Sequence, residues 1–391
     1  MQRILNDYSI LSTVMSRTIK YLGFYDVESN PYTRQHSLPA VNKMNYLIEK
    51  LNHNGISVHL ISPSWYVVPD APFTRKKDII AHENFKITFV PSFPTRNRYT
   101  RYIKVLFTKI WLFFYLLWHV RRNEEIIVYH SPVLITVIYW VKKIKKFKLT
   151  LEVEEIYSDL CDLRENVRKR EMKLIHYADK YIFSSELLEE KLNISQKPAV
   201  VCHGVYKIED DRMKRFDDDR IHIVYAGILE PRKGSHVAIK TAEFLDEQYH
   251  IHIIGYGDES SIEQLIQETR KKTSCRLSFD GTLRGEEYIS FLHRCHIGLC
   301  TQEPVTAYND TTFPSKVLSY LSNGLRVVAV EINSLKSSKI SDLINYYHGS
   351  PQNVADVIKT IDTNDGYDSR RFIESLDREF SNNLLSTFLS I

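Results

Sequence analysis

The sequence is poor in cysteine, with five in 391 residues. None belongs to a C-x-x-C pair, and none lies in a His/Cys cluster with the spacing of zinc ligands. The five are Cys161, Cys202, Cys275, Cys295 and Cys300. Neither a disulfide framework nor a zinc site is therefore expected, and no metal or other cofactor is predicted. A reducing compartment, the cytoplasm, fits this cysteine usage best.

Long apolar runs are also lacking. The first 16 residues include Asn6 and Asp7 among scattered apolar side chains, so they lack the uninterrupted apolar region of a signal peptide. The two most apolar stretches, 110–120 and 133–141, are well short of the ~20 residues that a membrane-spanning helix needs. We therefore expect no transmembrane segment.

Charge of one sign is not in large excess, since the formal net charge is +4. Basic residues nevertheless surround the two apolar stretches: Arg96, Arg98, Arg101, Lys104, Lys109, Arg121, Arg122, Lys142, Lys143, Lys145, Lys146 and Lys148. This composition is typical of an interfacial helix on an anionic membrane. Two core helices with a solvated basic face would give the same pattern. The first of these readings predicts a peripheral position at the inner face of the cell membrane. No nucleic-acid partner is predicted, because no nucleic-acid-binding motif is present.

Short β-rich runs alternate with longer amphipathic runs, which predicts α/β architecture with parallel sheets covered by helices. In the first half, residues 40–52 carry apolar side chains at helical spacing, and Gly55 ends this predicted helix. Seven runs in this half are predicted to be strands: IKYLGFYDV, GISVHLISP, FKITFVPS, EEIIVYHSP, FKLTLEVEE, KYIFSS and PAVVCHG.

Residues 207–220 have almost no apolar content and form the predicted linker. After them the pattern restarts with five predicted strands: IHIVYAG, YHIHIIGYG, RLSFDGT, HIGLCTQ and RVVAVEI. We predict two Rossmann-like, doubly wound parallel-sheet domains, 1–206 and 221–365, facing a cleft. A helical segment, 366–391, is expected to pack back on the first domain. Ligands of such sheets bind beyond the carboxyl ends of the strands.

The motif YAGILEPRKGS follows the first strand of the second domain. The strand ends at Gly227, and the next helix is expected to begin near Lys233, beside Arg232. Because the helix dipole disfavours cations at an N-terminus, these charges are best explained by a bound anion such as a diphosphate. A solvated loop that turns at Pro231 is the alternative.

Gly255 and Gly257 in IIGYGDES repeat this arrangement, because glycine allows a close backbone approach or a positive φ. The motif lacks the third glycine of a dinucleotide fingerprint, and no acidic residue ends the following strand at the expected place. Nicotinamide binding is therefore not favoured.

The segment NDTTFPSKVLSYLSNG predicts a helix. Thr311 or Thr312 is suited to cap it, Pro314 suits its first turn, and Gly324 ends it. The unpaired amide groups of residues 313–316 would then face a bound phosphate or sugar.

With these motifs the chain resembles the retaining glycosyltransferases of the GT-B fold, in particular the family 4 group that makes bacterial capsule and O-antigen polysaccharides. The matching residues in the second half are Ala226, Gly227, Pro231, Arg232, Lys233, Gly234, Gly255, Gly257, Asp280, Gly281, Phe313, Pro314, Ser315, Lys316, Tyr320, Leu321 and Gly324. RQHSLPAVNKMNYLIEKLNHNG and LEVEEIYSD in the first half also look like segments of these enzymes. The resemblance implies an acceptor domain followed by a nucleotide-sugar domain, and transfer of a sugar to a glycan hydroxyl with retention.

By this resemblance Lys233, with Arg232 beside it, would neutralise the donor diphosphate. The implied donor-binding residues are Gly227, Lys233, Gly255, Gly257, Asn309, Asp310, Thr311, Phe313, Pro314, Ser315, Lys316 and Ser319. Two glutamates of the family, separated by seven residues, are replaced here by Thr311 and Ser319. Asp310 is placed to substitute for the sugar contact, and the donor sugar and nucleotide stay open.

Acidic residues gather at the end of a strand in the first domain: Glu152, Glu154, Glu155 and Asp159. Carboxylates there would orient an acceptor hydroxyl or stabilise an oxocarbenium-like transition state. Solvated acids at a strand end are an equal alternative. His36 lies in the loop that approaches the donor phosphates in the resembling family, although lone histidines such as His36 and His130 are more often structural. The predicted catalytic residues are Lys233, Arg232, Glu155 and His36.

The predicted reaction needs no metal, because no paired-acid metal motif accompanies these residues. A polyprenyl-diphosphate-linked glycan is the predicted acceptor, because the basic aromatic stretches suit a membrane surface. Two alternatives stay open. A GT-B-fold sugar-nucleotide epimerase would share the sheets and phosphate loops, and a non-catalytic partner of a glycosyltransferase would account for the loss of both glutamates.

Overall fold

The computed structural model describes residues 17–27, 29–30, 32–160, 165–208, 216–303 and 312–389. The chain divides into two compact units. Unit 1 comprises Met1–Ser184, Leu188–Cys202 and Ser381–Ile391, and unit 2 comprises Ser185–Leu187 and His203–Phe380.

Unit 1 contains an eight-stranded sheet. Its strands are β1 (Thr18–Leu22), β2 (Ser57–Ser62), β3 (Lys77–His82), β4 (Phe85–Phe89), β5 (Glu125–Tyr129), β6 (Lys148–Val153), β7 (Lys180–Phe183) and β8 (Ala199–Val201). Their order is β3-β4-β2-β1-β5-β6-β7-β8, and all pairs are parallel except β3 with β4. The seven predicted strands are confirmed, whereas β3 was not predicted. Almost all of β3 is exposed, so its sequence lacks the apolar pattern of a covered strand.

The helices of the first half are α1 (Leu38–His53), α2 (Arg98–His119), α3 (Ile135–Lys145), α4 (Tyr157–Leu160), α5 (Glu165–Tyr177) and α6 (Glu186–Leu192). Apolar side chains of α2, α3 and α5 share one core cluster with β5, β6 and β7. Within α2, Asn97 and Thr100 form a capping box, which explains why the helix begins well before the apolar stretch. None of the helices in the described part of the chain is long and apolar enough to span a membrane.

Two basic residues assigned above to a charged surface are instead buried. Lys104 is 1% exposed and donates to the Tyr66 carbonyl at 3.0 Å. Lys142 is 6% exposed and donates to the Phe147 carbonyl at 3.0 Å. Both lie on the inner faces of their helices, so they satisfy loop carbonyls rather than face solvent.

Unit 2 contains a six-stranded, fully parallel sheet. Its strands are β9 (Ile221–Leu229), β10 (Tyr249–Gly257), β11 (Arg276–Phe279), β12 (Ile297–Cys300), β13 (Arg326–Val330) and β14 (Ile344–Tyr347). The order is β11-β10-β9-β12-β13-β14. Strands β10 and β11 lie on one side of β9, and strands β12 to β14 lie on its other side. The five predicted strands are confirmed, and β14 is an additional edge strand.

The helices that follow these strands are α7 (Ser235–Thr241), α8 (Glu259–Arg270), α9 (Gly285–Leu292), α10 (Ser315–Ser322), α11 (Asn333–Lys336), α12 (Pro351–Lys359) and α13 (Arg370–Leu389). The predicted threonine cap of α10 is wrong for Thr312, because Pro314 occupies the N-cap position without a side-chain hydrogen bond. Thr311 lies outside the described residues. The predicted stop at Gly324 agrees with the end of α10, since Gly324 has φ +79°.

Candidate functional site

The carboxyl ends of β9 and β10 approach each other closely at two glycines. Gly255 pairs with Gly227 across the two strands and has φ +146°. A Cβ atom on Gly255 would lie 1.8 Å from the Gly227 carbonyl oxygen. Gly257 is less constrained, since a Cβ atom there would meet Leu229 at 3.1 Å. The packing of β9 against β10 therefore requires glycine at position 255. As a result, backbone atoms without side chains lie at this edge of the sheet.

The loop after β9 is held by Tyr225. Its hydroxyl shares its one proton between the carbonyls of Ile228, at 2.9 Å, and Lys233, at 2.8 Å. Arg232 and Lys233 lie exposed in the short 3₁₀ turn Pro231–Lys233. The helix predicted near Lys233 in fact begins at Ser235, because the 3₁₀ turn ends at Gly234.

Gly234 joins this loop to β12. Its φ is +95°, and a Cβ atom would lie 2.1 Å from the Thr301 carbonyl oxygen. The Thr301 hydroxyl donates to the Gly234 carbonyl at 2.8 Å. These contacts between Gly234 and Thr301 fix the end of the basic turn against the sheet. Arg232 and Lys233 therefore extend from a rigid segment of backbone.

Lys316, in the first turn of α10, completes the basic group. A Cβ atom built on Gly227 would lie 3.1 Å from the Lys316 Nζ atom, so this amine covers the end of β9. Nζ also lies 4.1 Å from the centre of the Tyr225 ring. Burial lowers the pKa of Lys316 to about 8; the Cys300 thiol opposes this shift, and the charge of Lys233 adds to it. Two amines thus repel each other at the strand end, and a bound anion would relieve that repulsion.

Tyr320 fixes α10 against the sheet. Its hydroxyl accepts from the Ala226 amide at 2.9 Å and donates to the Leu299 carbonyl at 3.3 Å. Gly298 leaves the space for the ring, since a Cβ atom there would lie 2.3 Å from it. The position of Lys316 over Gly227 therefore follows from a buried tyrosine one helical turn further along the helix.

Other predicted donor-binding residues have packing partners. Phe313 is buried, with its ring 4.5 Å from the His203 ring. Ser319 shares a hydrogen bond of 3.0 Å with the Tyr288 hydroxyl. Pro314 is buried and Ser315 is exposed at the start of α10. Asn309, Asp310 and Thr311 lie outside the described residues.

The acidic residues of unit 1 are not all solvated. Glu152 lies inside β6, is fully buried and accepts a hydrogen bond from Tyr21. Burial raises the pKa of Glu152 to about 8, and Lys43 opposes this shift. Lys43, itself buried, forms an ion pair with Glu154. Glu155 follows the end of β6 and is half-buried. Of Glu152, Glu154 and Glu155, it therefore agrees best with the prediction of an acid at the carboxyl end of this strand.

The two predicted histidines differ in environment. His36 is half-buried, with Nδ1 2.8 Å from the Arg34 carbonyl and 3.8 Å from Asp26 Oδ2. His130 is 2% exposed, and burial lowers its pKa to about 4. His36 and Glu155 belong to unit 1, whereas Arg232 and Lys233 belong to unit 2. The structure thus brings Gly227, Gly255 and Lys316 together with the Arg232–Lys233 turn.

Sequence reasoning gave no role to the supporting residues Tyr225 and Gly298, and it named Tyr320 as a matching residue without predicting its contact with the sheet. The signal was available in part, because the small residue Gly298 stands in an otherwise bulky strand, IGLC. The buried pair of Lys43 and Glu154 was also missed. Its members are 111 positions apart in the chain, so no local spacing could have connected them.

Comparison with known proteins finds a matching family model and similar solved structures. Residues 220–363 match the family model described as Glycosyl transferases group 1. No curated protein sequence matches the chain. The family match covers most of unit 2 and confirms the prediction of an enzyme of the glycosyltransferase class.

Solved structures resemble the whole chain. A sucrose-phosphate synthase from Thermosynechococcus elongatus has a TM-score of 0.70 at 12% identity, covering 96% of this chain and 98% of that one. A structure from E. coli, described as trehalose-6-phosphate bound with UDP-2-fluoro glucose, has a TM-score of 0.66 at 9% identity, covering 95% and 98%. Anabaena Alr3699/HepE, in complex with UDP and glucose, has a TM-score of 0.60 at 13% identity, covering 96% and 100%. The chain therefore has the GT-B fold, and its residues 220–363 are similar to the Glycosyl transferases group 1 family.

Proposed function

We propose that the protein transfers a sugar, with retention of anomeric configuration, from a nucleoside diphosphate to a hydroxyl of a glycan acceptor. The observation that carries this proposal is the Lys316 amine over Gly227, next to the Arg232–Lys233 turn at the end of β9. A diphosphate suits this place, because backbone amide groups without side chains and several cations are available to bind its negatively charged oxygens. Two structural neighbours are described with UDP or a UDP-sugar, so a uridine diphosphate donor is the first choice.

Each basic residue has a role in this proposal. Lys316, partly buried, contacts the diphosphate from the side of α10, and Arg232 and Lys233 contact it from the loop. Together they stabilise the negative charge that develops as the glycosidic bond to the leaving diphosphate breaks. Fixed cations supply this charge stabilisation, so we propose a reaction that is independent of metal.

The donor ribose has to be recognised without the usual carboxylate. Ser319 and Tyr288 present two hydroxyl groups 3.0 Å apart on α10 and α9. A hydroxyl both donates and accepts, so this pair is able to bond a ribose hydroxyl, although it carries no charge. In unit 1, Glu155 and His36 are the proposed contacts to the acceptor and its reacting hydroxyl.

We further propose that the acceptor is a polyprenyl-diphosphate-linked glycan at an anionic membrane surface. Helix α2 presents an uncovered apolar stripe at helical spacing: Tyr99, Tyr102, Ile103, Leu106, Ile110, Phe114 and Trp118. Exposures of 80% for Tyr99 and 79% for Trp118 are large for aromatic residues. Exposed Arg98, Arg101 and Arg121 lie at the ends of the helix. This combination suits a helix lying in the lipid headgroup region.

Transfer is tested by incubating the purified protein with UDP-sugars, one at a time, with and without a polyprenyl-diphosphate-linked glycan. We expect acceptor-dependent release of UDP and a lipid-linked product whose anomeric configuration matches the donor. Lys233→Ala should lower the rate by about 100-fold or more, as loss of one stabilising donor does elsewhere. Lys240→Ala, which removes an exposed lysine on α7, is the matched control.

The same assay separates the alternatives. Isomerised donor in the absence of acceptor would identify an epimerase. Binding of UDP-sugars without turnover of any would identify a non-catalytic partner protein. Equal rates for Lys233→Ala and Lys240→Ala would refute the proposed role of the basic turn.

A further inference from the structure

Three buried histidines form a cluster toward the amino-terminal ends of two adjacent strands in the sheet of unit 2. His222 lies at the start of β9, and His250 and His252 lie at the start of β10. Their exposed fractions are 1%, 5% and 1%. One nitrogen of each ring lies within 4.8 Å of the others. His222 pairs with His250 across the strands, and His252 is two residues further on, so all three side chains share one face of the sheet.

This cluster is separate from the proposed donor site. His222 precedes Gly227 by five positions on the same strand, which corresponds to about 16 Å at the rise of a β-strand. The donor site lies at the carboxyl ends of the strands, and the histidines lie toward the amino ends. A ligand of the histidines therefore has no contact with the transferred group.

Two carboxylates fix the orientation of two of the rings. Asp218 Oδ1 is 2.8 Å from His222 Nε2, and Asp280 Oδ2 is 3.1 Å from His252 Nδ1. An ionised carboxylate only accepts hydrogen bonds, so each ring directs an N–H group at its aspartate. The remaining nitrogens, His222 Nδ1 and His252 Nε2, face each other at 2.9 Å. With neutral rings, both carry a lone pair.

The third ring has a similar arrangement. The Ser278 hydroxyl donates its single proton to Asp280 at 2.7 Å, so it accepts from His250 Nε2 at 2.9 Å. His250 Nδ1 is then unprotonated, and it is buried without a hydrogen-bond partner. Each of the three rings therefore has one unprotonated nitrogen inside the protein. One shared proton would satisfy His222 and His252 but would leave His250 unpaired.

We propose that His222, His250 and His252 bind one divalent transition-metal ion, with Zn²⁺ as the best match. Three imidazoles with a fourth position for water form a known Zn²⁺ ligand set. Zn–N bonds of 2.0–2.1 Å place the ligand nitrogens of a tetrahedral ion about 3.3 Å apart. The His222 and His252 nitrogens thus separate by about 0.4 Å, and His250 moves inward.

The surroundings support a metal site. Asp218 and Asp280 occupy the outer positions where carboxylates orient metal-binding imidazoles. The ring of Phe216 stacks on His222 at 4.0 Å and on His252 at 4.9 Å. A metal here ties β9 to β10 and so stabilises unit 2. It takes no part in sugar transfer, which stays independent of metal in the proposed reaction.

The test uses the untagged full-length protein after removal of metals with a chelator. Titration with Co²⁺ should give one equivalent per chain, with the strong visible absorption of tetrahedral coordination, and Zn²⁺ should displace it. Zn²⁺ should also raise the unfolding temperature, because a ligand that binds only the folded state stabilises it. The weak spectrum of octahedral Co²⁺, or no uptake, would overturn the proposal and favour a shared proton.

Variants assign the site to these residues. His250→Asn removes one ligand and leaves the contacts of Asp218 with His222 and of Asp280 with His252 in place. We expect it to lower Co²⁺ affinity by more than about 100-fold, because even the loss of a group that only orients a ligand costs ~10- to 100-fold, and to keep the circular dichroism spectrum of the wild type. His348→Gln, at an exposed histidine, is the matched control and should bind like the wild type. Equal affinities in the two variants would contradict the assignment, and the wild-type Co²⁺ spectrum decides the question independently of either variant.

Discussion

At the scale of single residues, Gly255 at the end of β10 shows that the packing of two strands can by itself require a glycine of a motif. Gly255 was predicted as a donor-binding residue. In the structure its lack of a side chain is already required by the Gly227 carbonyl. The side chain that covers this point is Lys316, which extends from α10 to Gly227. Spacing along the chain does not predict such a tertiary contact.

Gly255→Ala should destabilise unit 2 by about 3 kcal/mol, because positive φ and a backbone clash each cost roughly 1–2 kcal/mol. Gly281→Ala is the matched control, since Gly281 also has positive φ, +78°, but nothing lies within 4 Å of its added Cβ atom. Urea unfolding measures both. Equal losses in the two variants would show that the strands move apart at no cost and that Gly255 serves another purpose.

At the scale of elements, the interior strands of both described sheets could be predicted, whereas two of the four edge strands, β3 and β14, could not. All five residues of β13, RVVAV, are buried, and four of them are apolar in an unbroken run. β3 exposes nearly all of its residues, and β14 has only four residues of mixed burial. Helix starts were also difficult, because α7 begins after a 3₁₀ turn and α10 begins at a proline cap. Neither start follows the usual side-chain capping pattern.

Helix α2 should determine membrane binding. We expect the wild type to float with vesicles that contain anionic lipid and to bind neutral vesicles more weakly. Tyr102→Ser combined with Trp118→Ser should reduce flotation by at least about tenfold, because each buried aromatic contributes ~1.5–3 kcal/mol. Ile194→Ser, which changes a residue of unit 1 that is 75% exposed, is the control. Flotation of the double variant at the level of the control would contradict the proposed role of α2.

At the scale of the whole molecule, the two-sheet architecture was predictable because alternating β and α patterns leave few topologies. The basic residues of the candidate site, Arg232, Lys233 and Lys316, could be selected from the sequence because they belong to local motifs, whereas the position of Lys316 over Gly227 could not. The buried Lys43–Glu154 pair and the histidine cluster were not, because each combines residues distant in the chain. The two hydroxyls of Ser319 and Tyr288 likewise come from separate helices.

The central claim is that the end of β9 holds a nucleoside diphosphate, and calorimetric titration with UDP tests it most directly. Lys316→Met should weaken binding by about 10- to 100-fold, because a hydrogen bond to a charged group contributes ~1.5–3 kcal/mol. Lys240→Met, at an exposed lysine on α7, should bind like the wild type.

The pH dependence gives the same titration a second readout. The pKa of Lys316 is lowered to about 8 without ligand, and a bound diphosphate raises it. Affinity should therefore be highest below pH 8 and should fall above it, where binding must take up a proton. Lys316→Met should lose this dependence. Wild-type binding that is weak at every pH, or unchanged by Lys316→Met, would contradict the claim.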